Sequence, residues 1–235
     1  DQVQVINAGL VSGTSADNLA RLLFSILPLD PDMVIYYEGF NDIVPRIFDN
    51  YADDYSHFRK SPENSHPLLE RSYVYRLLLT RLGVYWDTPN GSLTNFIWKR
   101  EGLPTDGRGK VANFNSTSAA TYKRNVEYMI DIVTKRGARF ALATFVFDSG
   151  SKNWTDDVPE ELWSRGIDEN NKAVRELSEH HRVPLIEFHD YALKHHTDGM
   201  FSDSIHLTPD GHRRQAEVFA ETLVPLIASD VTDVH

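Results

Sequence analysis

The sequence predicts an α/β fold in which a parallel sheet carries helices on both faces. Strand-like and helical segments alternate along most of the 235 residues. Several strand-like segments are continuous apolar runs, which is typical of strands buried on both faces. A length of 235 residues lies near the upper end of what one hydrophobic core serves, so we expect a single domain.

The first 42 residues predict one βαβ unit. Val3–Ile6 is a short strand-like run, and a turn-rich loop at 7–15 follows it. Apolar residues then take helical spacing at Leu19, Leu22, Leu23 and Ile26. A Pro/Asp-rich break ends this helix, and Met33–Tyr37 predicts the second strand.

Residues 43–115 interrupt the alternation. They are rich in Asp, Asn, Tyr and Pro, and they contain one predicted helix near 67–82. We interpret this segment as an insertion or lid within the single domain 1–235.

The alternation resumes after residue 118. The predicted elements are a helix at 119–136, a strand at 139–147, a helix at 159–181, a strand at 183–188 and a helix that begins at Pro209. This gives four predicted strands, although a three-layer domain of this length usually has five or more. We therefore expect one strand to be missing on the amino-terminal side, upstream of residue 1.

Composition excludes several functions. Asp and Glu outnumber Lys and Arg by 34 to 24, and no basic cluster stands out, so we expect no nucleic-acid partner. No apolar run approaches the ~18 residues of a membrane helix, so no membrane span is predicted. The absence of cysteine excludes a disulfide, a thiolate nucleophile and a cysteine-ligated zinc, and it leaves the cellular compartment open.

The strongest local signal is the pair Asp203 and His206, three residues apart just before the last predicted helix. A turn can fold the carboxylate onto the imidazole, where it fixes the tautomer and stabilises the imidazolium during proton transfer. A second signal is Gly39-Phe40-Asn41-Asp42, at the carboxyl end of a predicted strand, where open parallel sheets bind ligands. The Asn41 amide can donate to a developing oxyanion there.

These two elements, together with the loop Asn7-Ala-Gly-Leu-Val-Ser-Gly-Thr-Ser-Ala-Asp-Asn-Leu19, resemble three of the four blocks of the GDSL-type, or SGNH, hydrolases. The resemblance implies a three-layer flavodoxin-like fold. It also implies that His206 is the general base, that Asp203 orients it, and that Asn41 is an oxyanion donor supported by Gly39 and Asp42. The second oxyanion amide belongs to Ser12 or Gly13, depending on a one-residue gap.

The first family block, a Gly-Asp-Ser motif with the nucleophile, does not occur in this chain. Substitutes in the sequence are Ser12, Ser15, Ser149 and Ser204, and none of them has the family context. We therefore expect the nucleophilic serine upstream of Asp1, in the same chain or on a companion segment that stays bound.

The resemblance implies a serine ester hydrolase that acts on a small-molecule or glycan ester without a metal or cofactor. Two alternatives remain open. One is a non-catalytic binding module that has lost its nucleophile, and the other is an O-acyltransferase on the same framework.

Two adjacent histidine pairs, His180–His181 and His195–His196, are interpreted as surface residues rather than metal ligands. Adjacent side chains point away from each other on a helix, and no carboxylate stands at i+4 from either pair.

Overall fold

The computed structural model describes residues 3–57, 74, 104, 106–150, 158–195 and 199–232. The chain divides into two compact units. One comprises residues 1–44 and 118–235, and the other comprises residues 45–117.

The larger unit is built on a parallel three-stranded sheet. Its strands are β1 (Met33–Tyr37), β2 (Arg139–Ala143) and β3 (Leu185–Ile186), in the order β1-β2-β3. Val34 of β1 is paired with Phe140 of β2, and Leu142 is paired with Leu185 of β3. This mixed architecture of parallel strands and helices confirms the predicted α/β fold class.

The helix before β1 begins earlier than its apolar spacing predicts. Helix α1 (Ser15–Arg21) continues through a π-helical turn, Leu22–Ile26, and a 3-10 turn, Leu27–Leu29. Its amino terminus is stabilised by a capping box, in which Thr14 and Asp17 satisfy each other's backbone N–H groups. Asp30, in the left-handed conformation, ends the helical segment.

The remaining helices follow in chain order. They are α2 (Gly107–Asn115), which belongs to the smaller unit, and α3 (Ala120–Lys135), α4 (Glu160–His181), α5 (Phe188–Lys194) and α6 (Pro209–Thr232), which belong to the larger one. None of the described helices is both long enough and apolar enough to cross a membrane.

Alternate residues of β2 point into two separate cores, one on each face of the sheet. Phe140 and Leu142 pack with apolar residues of α1, α3 and α4. Ala141 and Ala143 pack on the opposite face with apolar residues of α5 and α6. The sheet is therefore covered on both faces, as the continuous apolar runs predict.

The predicted strand Val3–Ile6 is wrong. These residues have no regular secondary structure, and the side chains of Val3, Val5 and Ile6 are 68%, 85% and 55% exposed. A strand forms only beside a neighbour that accepts and donates its ladder hydrogen bonds. Val3–Ile6 has no ladder partner among the described residues, whose sheet consists of β1, β2 and β3.

Two other predicted strands end early. The strand predicted at 139–147 stops at Ala143, because both neighbouring strands end opposite that residue, β1 at Tyr37 and β3 at Ile186. The backbone of Phe145 instead bonds to a side chain of α4. The strand predicted at 183–188 gives way to α5, which begins at Phe188.

The described part of the smaller unit contains a buried arginine, Arg46. Arg46 donates from Nε to Thr117 Oγ1 at 3.1 Å, and its guanidinium lies 3.8 Å from the centre of the Phe114 ring. The helix predicted near 67–82 lies outside the described residues except for Val74.

Candidate active site

The loop after β1 carries the Gly-Phe-Asn-Asp sequence. Gly39 is buried against the segment that follows β2, and a Cβ atom added there would lie 3.2 Å from Cβ of Phe145. Asn41 is positioned by hydrogen bonds from its backbone and from its side chain. Its N–H donates to Glu38 Oε1 at 3.1 Å, and its side-chain Nδ2 donates to the Gly13 carbonyl at 3.1 Å. The structure therefore brings the predicted oxyanion residue Asn41 to the predicted loop at Ser12–Gly13.

Asp42 joins the same two loops through its carboxylate. It accepts hydrogen bonds from the Ser15 N–H, at 2.8 Å, and from the Ser15 hydroxyl. Asn125 of α3 donates to the same hydroxyl at 2.9 Å. Asp42 and Ser15 are both buried, so Asp42 anchors the start of α1 beneath the Asn41 loop.

The backbone at Ser12 and Gly13 makes a tight turn. Ser12 has a positive φ of 56°, a conformation that costs energy for a residue with a side chain. The Gly13 N–H donates to the Leu10 carbonyl at 3.1 Å. The Gly13 N–H thus donates within the turn, and the Gly13 carbonyl accepts the hydrogen bond from Asn41 Nδ2.

Asp203 and His206 lie together in the loop before α6. Asp203 Oδ2 is 2.7 Å from His206 Nδ1, and the other oxygen of this carboxylate accepts the N–H groups of Ile205 and His206. The loop is closed at its base by an antiparallel bridge between Phe201 and Leu207. The side chain of His206 is 65% exposed, so its ring is open to a substrate.

Hydrogen bonding sets the charge of Asp203. Partial burial raises the pKa of this carboxyl, but the hydrogen bonds from Ile205 and His206 outweigh burial, and the pKa lies below its usual range. Asp203 is therefore ionised at neutral pH and faces the imidazole as an anion.

A series of buried contacts links the loops at the carboxyl ends of β1 and β2. Asn170 of α4 donates to the Gly39 carbonyl at 2.6 Å. The next residue, Asn171, accepts from the Phe145 N–H at 2.7 Å and donates to the Phe145 carbonyl at 2.8 Å. Farther along the segment after β2, the Asp148 N–H donates to the Ser204 carbonyl at 2.8 Å, which joins that segment to the Asp203–His206 loop.

Sequence reasoning missed both asparagines and Glu38. The available signal for the asparagines was a pair of amide residues among the apolar positions of α4, between Ile167 and Val174. Glu38 stands directly before Gly39. Burial, and next the negative charge of Asp42, raise the pKa of Glu38 to about 7.

The serines considered as substitute nucleophiles lie in different settings. Ser15 is buried and bonded to Asp42 and Asn125, and Ser204 is buried in the loop of Asp203. Ser149 is exposed after the end of the β2 segment, and Ser12 is half-buried in its turn.

Comparison with known proteins decides the family. The sequence profile of the GDSL-like Lipase/Acylhydrolase family matches residues 1–214. The chain belongs to this family. No curated protein matches the chain at a comparable level of significance.

Solved structures share the fold of this GDSL-like chain. A lipase/acylhydrolase from Enterococcus faecalis matches with a TM-score of 0.50 and 18% identity, over 90% of this chain and 71% of the other. A mutant of Axe2, an acetyl-xylooligosaccharide esterase from Geobacillus, matches with a TM-score of 0.51 and 13% identity, over 90% and 68%. At these identities the likeness concerns the fold. The family and these hydrolase neighbours together support a hydrolase.

Proposed function

We propose that this chain is a carboxylic ester hydrolase with a Ser–His–Asp triad, in which His206 is the general base and Asp203 orients it. The observation that carries the proposal is the 2.7 Å contact between Asp203 Oδ2 and His206 Nδ1. Because Nδ1 faces the carboxylate, Nε2 is the ring nitrogen left to take a proton from a nucleophile.

The oxyanion is stabilised by the Asn41 side chain and by a backbone N–H of Ser12 or Gly13. The 3.1 Å contact between Asn41 Nδ2 and the Gly13 carbonyl supports this pairing, since it keeps the amide beside that turn. Asn41 Nδ2 carries two hydrogens, so the second can donate to substrate while the first stays on Gly13. The Gly13 N–H bonds to the Leu10 carbonyl, so it serves the oxyanion only if it leaves or shares that acceptor.

The nucleophilic serine is carried by a segment that adds a strand beside the free edge of β1. Among the described residues β1 pairs only with β2, and Ile35, in the middle of β1, is 43% exposed. Such a strand would end at the same edge of the sheet as Asn41, because the carboxyl ends of parallel strands lie together.

The reaction proceeds in two steps. The serine oxygen attacks the ester carbonyl while His206 takes its proton, and the alcohol leaves with that proton, which gives an acyl-serine. Water then attacks the acyl-serine while His206 takes a proton from it, and His206 returns that proton to the serine oxygen as the acid is released. The substrate is an O-acyl or acetyl ester of a small molecule or glycan, a class that includes the acetylated xylo-oligosaccharides of the Axe2 name.

Labelling with a fluorophosphonate, followed by peptide mapping, tests the proposal on the native protein purified from its source. We expect hydrolysis of p-nitrophenyl acetate and a single labelled serine in a Gly-Asp-Ser context. A label on Ser12, Ser15, Ser149 or Ser204 would overturn the assigned nucleophile. The absence of both labelling and hydrolysis would favour the binding module. Acetyl transfer to a sugar that is faster than hydrolysis would favour the acyltransferase.

A further inference from the structure

The histidine pair at the end of α4 is arranged differently from the sequence prediction. The rings of His180 and His181 do not point apart, since their centres lie 4.8 Å from each other. A carboxylate meets them from a neighbouring helix. Glu127 Oε1 of α3 lies 3.2 Å from His181 Nε2, and one ligand atom from each of the three residues falls within 4.8 Å of the others.

We propose that Glu127, His180 and His181 form a binding site for a divalent transition-metal ion such as Zn²⁺. Two ligand atoms on bonds of ~2.0–2.1 Å at a tetrahedral angle are separated by ~3.4 Å. The Glu127–His181 pair at 3.2 Å already has this spacing. His180 is exposed, so a rotation of its side chain brings the third ligand atom in, and water completes the fourth position.

The surroundings of this site can orient one ligand and favour a cation. Asp131, one turn after Glu127, lies 3.8 Å from His181 Nδ1, the ring nitrogen that is not paired with Glu127, and it also pairs with Lys135 at 3.0 Å. A small movement of this carboxylate to hydrogen-bond distance of Nδ1 would orient the imidazole, as carboxylates orient metal-binding histidines. The two histidines are also the last residues of α4, where the helix dipole favours positive charge.

Acidic side chains line the same cleft. Glu127 and His180 share an open surface cleft with Glu176 and Glu179. Lys123 also lines the cleft, but its ammonium pairs with Glu176 at 2.6 Å. Lys172 approaches Glu176 at 3.9 Å, and Lys135 pairs with Asp131 at 3.0 Å. Glu127 and Glu179 are the two carboxylates of the cleft that these lysines do not pair with, and they favour a cation there.

The types of ligand indicate which metals the site binds. The position of the site in the fold indicates what the metal does there. Two imidazoles and one carboxylate suit Zn²⁺, Ni²⁺ or Cu²⁺, whereas Mg²⁺ and Ca²⁺ prefer oxygen ligands alone. His181 lies just before β3, at the amino edge of the sheet, and the candidate active site lies at the carboxyl edge. The metal would therefore join α3 to α4 and stabilise the fold, and the site does not depend on the proposed function.

Calorimetric titration of the metal-free 235-residue chain with ZnCl₂ tests this proposal, together with thermal unfolding with and without the metal. We expect saturable binding with a stoichiometry near one and a higher Tm with Zn²⁺, because a ligand that binds only the folded state stabilises it. MgCl₂ should give neither effect.

His180→Ala and Glu127→Gln should each abolish the Zn²⁺-dependent rise in Tm. His180 is exposed, so its variant should remain folded, and the exposed His212→Ala on α6 is the matched control that should keep the effect. Zn²⁺ binding that persists in both ligand variants would overturn the site, as would the absence of binding in the parent chain.

Discussion

At the scale of single residues, the proposed mechanism assigns the orientation of His206 to Asp203, whose Oδ2 lies 2.7 Å from Nδ1 of the imidazole. The carboxylate accepts two backbone N–H groups of its own loop, so its position is fixed before any substrate arrives. The lowered pKa of Asp203 keeps it anionic at neutral pH, and in the proposed mechanism the anion stabilises the imidazolium that forms when His206 takes a proton.

Replacing the proposed general base, His206, should abolish turnover without unfolding the protein. We expect His206→Ala to lower kcat for p-nitrophenyl acetate by on the order of 10⁴-fold or more in the native enzyme. The Tm should change little because the side chain is exposed. The exposed His212→Ala is the matched control, and near-parental turnover in His206→Ala would remove His206 from the triad.

Removing the Asn41 amide should act on the transition state. We expect Asn41→Ala to lower kcat by roughly 10²- to 10³-fold with little change in KM, because in the proposed mechanism the amide stabilises charge that develops only during reaction. Asn113→Ala in the smaller unit is a matched control, since Asn113 Nδ2 also donates to a backbone carbonyl, that of Ile47, at 3.1 Å. An unchanged kcat would leave Asn41 a purely structural residue.

Glu38 should make stability depend on pH. Its pKa is about 7 in the folded chain against an ordinary value of 4.5. Between these values the folded state binds more protons than the unfolded state, so the free energy of unfolding falls as the pH rises from about 4.5 to about 7.

Glu38→Gln should remove this component, which is on the order of 2 kcal/mol between pH 5 and pH 8. The glutamine retains an oxygen that accepts the Asn41 N–H. Urea unfolding at both pH values measures the difference, with the exposed Glu217→Gln as control. Parallel pH profiles for the parent and Glu38→Gln would contradict the prediction.

At the scale of elements, α4 connects the two loops beyond β1 and β2. The segment after Ala143 has lost its strand partner, and its backbone needs other hydrogen-bond partners because it is buried. Asn171 supplies both a donor and an acceptor to Phe145, and Asn170 holds Gly39. A helix side chain thus takes the place of a missing ladder neighbour.

Asn171→Leu should therefore destabilise the larger unit. The leucine fills a similar volume but leaves the N–H and carbonyl of Phe145 without partners, which costs about 2 to 6 kcal/mol for the two groups. The exposed Lys172→Ala, one residue along, should stay within about 0.5 kcal/mol of the parent. Chemical unfolding measures both, and equal stabilities would show that Phe145 finds other partners.

At the scale of the whole molecule, β1 is an edge strand of the sheet that the described residues form. Its outer side has no strand partner among them, and the segment Val3–Ile6 is exposed and irregular. An interior strand would explain both features, because it would pair with β1 on one side and give Val3–Ile6 a neighbour on the other.

Hydrogen exchange on β1 should report this strand. We expect the outward-facing amides of Met33–Tyr37 to exchange rapidly in the 235-residue chain, and slowly in a form of the protein that carries the proposed strand. The amides of β2, which lies between two strands, serve as the internal reference. Equal exchange on β1 in both forms would contradict the proposed strand and its serine.

The sequence by itself determined the α/β class, the sites of most helices and the short-range pair Asp203–His206. Apolar periodicity and a three-residue turn are local properties, so they can be read from neighbouring residues. The tertiary structure alone decided that Val3–Ile6 is not a strand, that Asn41 meets Gly13, and that Asn170 and Asn171 hold the loops. Each of these depends on a partner that is distant in sequence, and a strand in particular cannot exist without a neighbour to complete its hydrogen bonds.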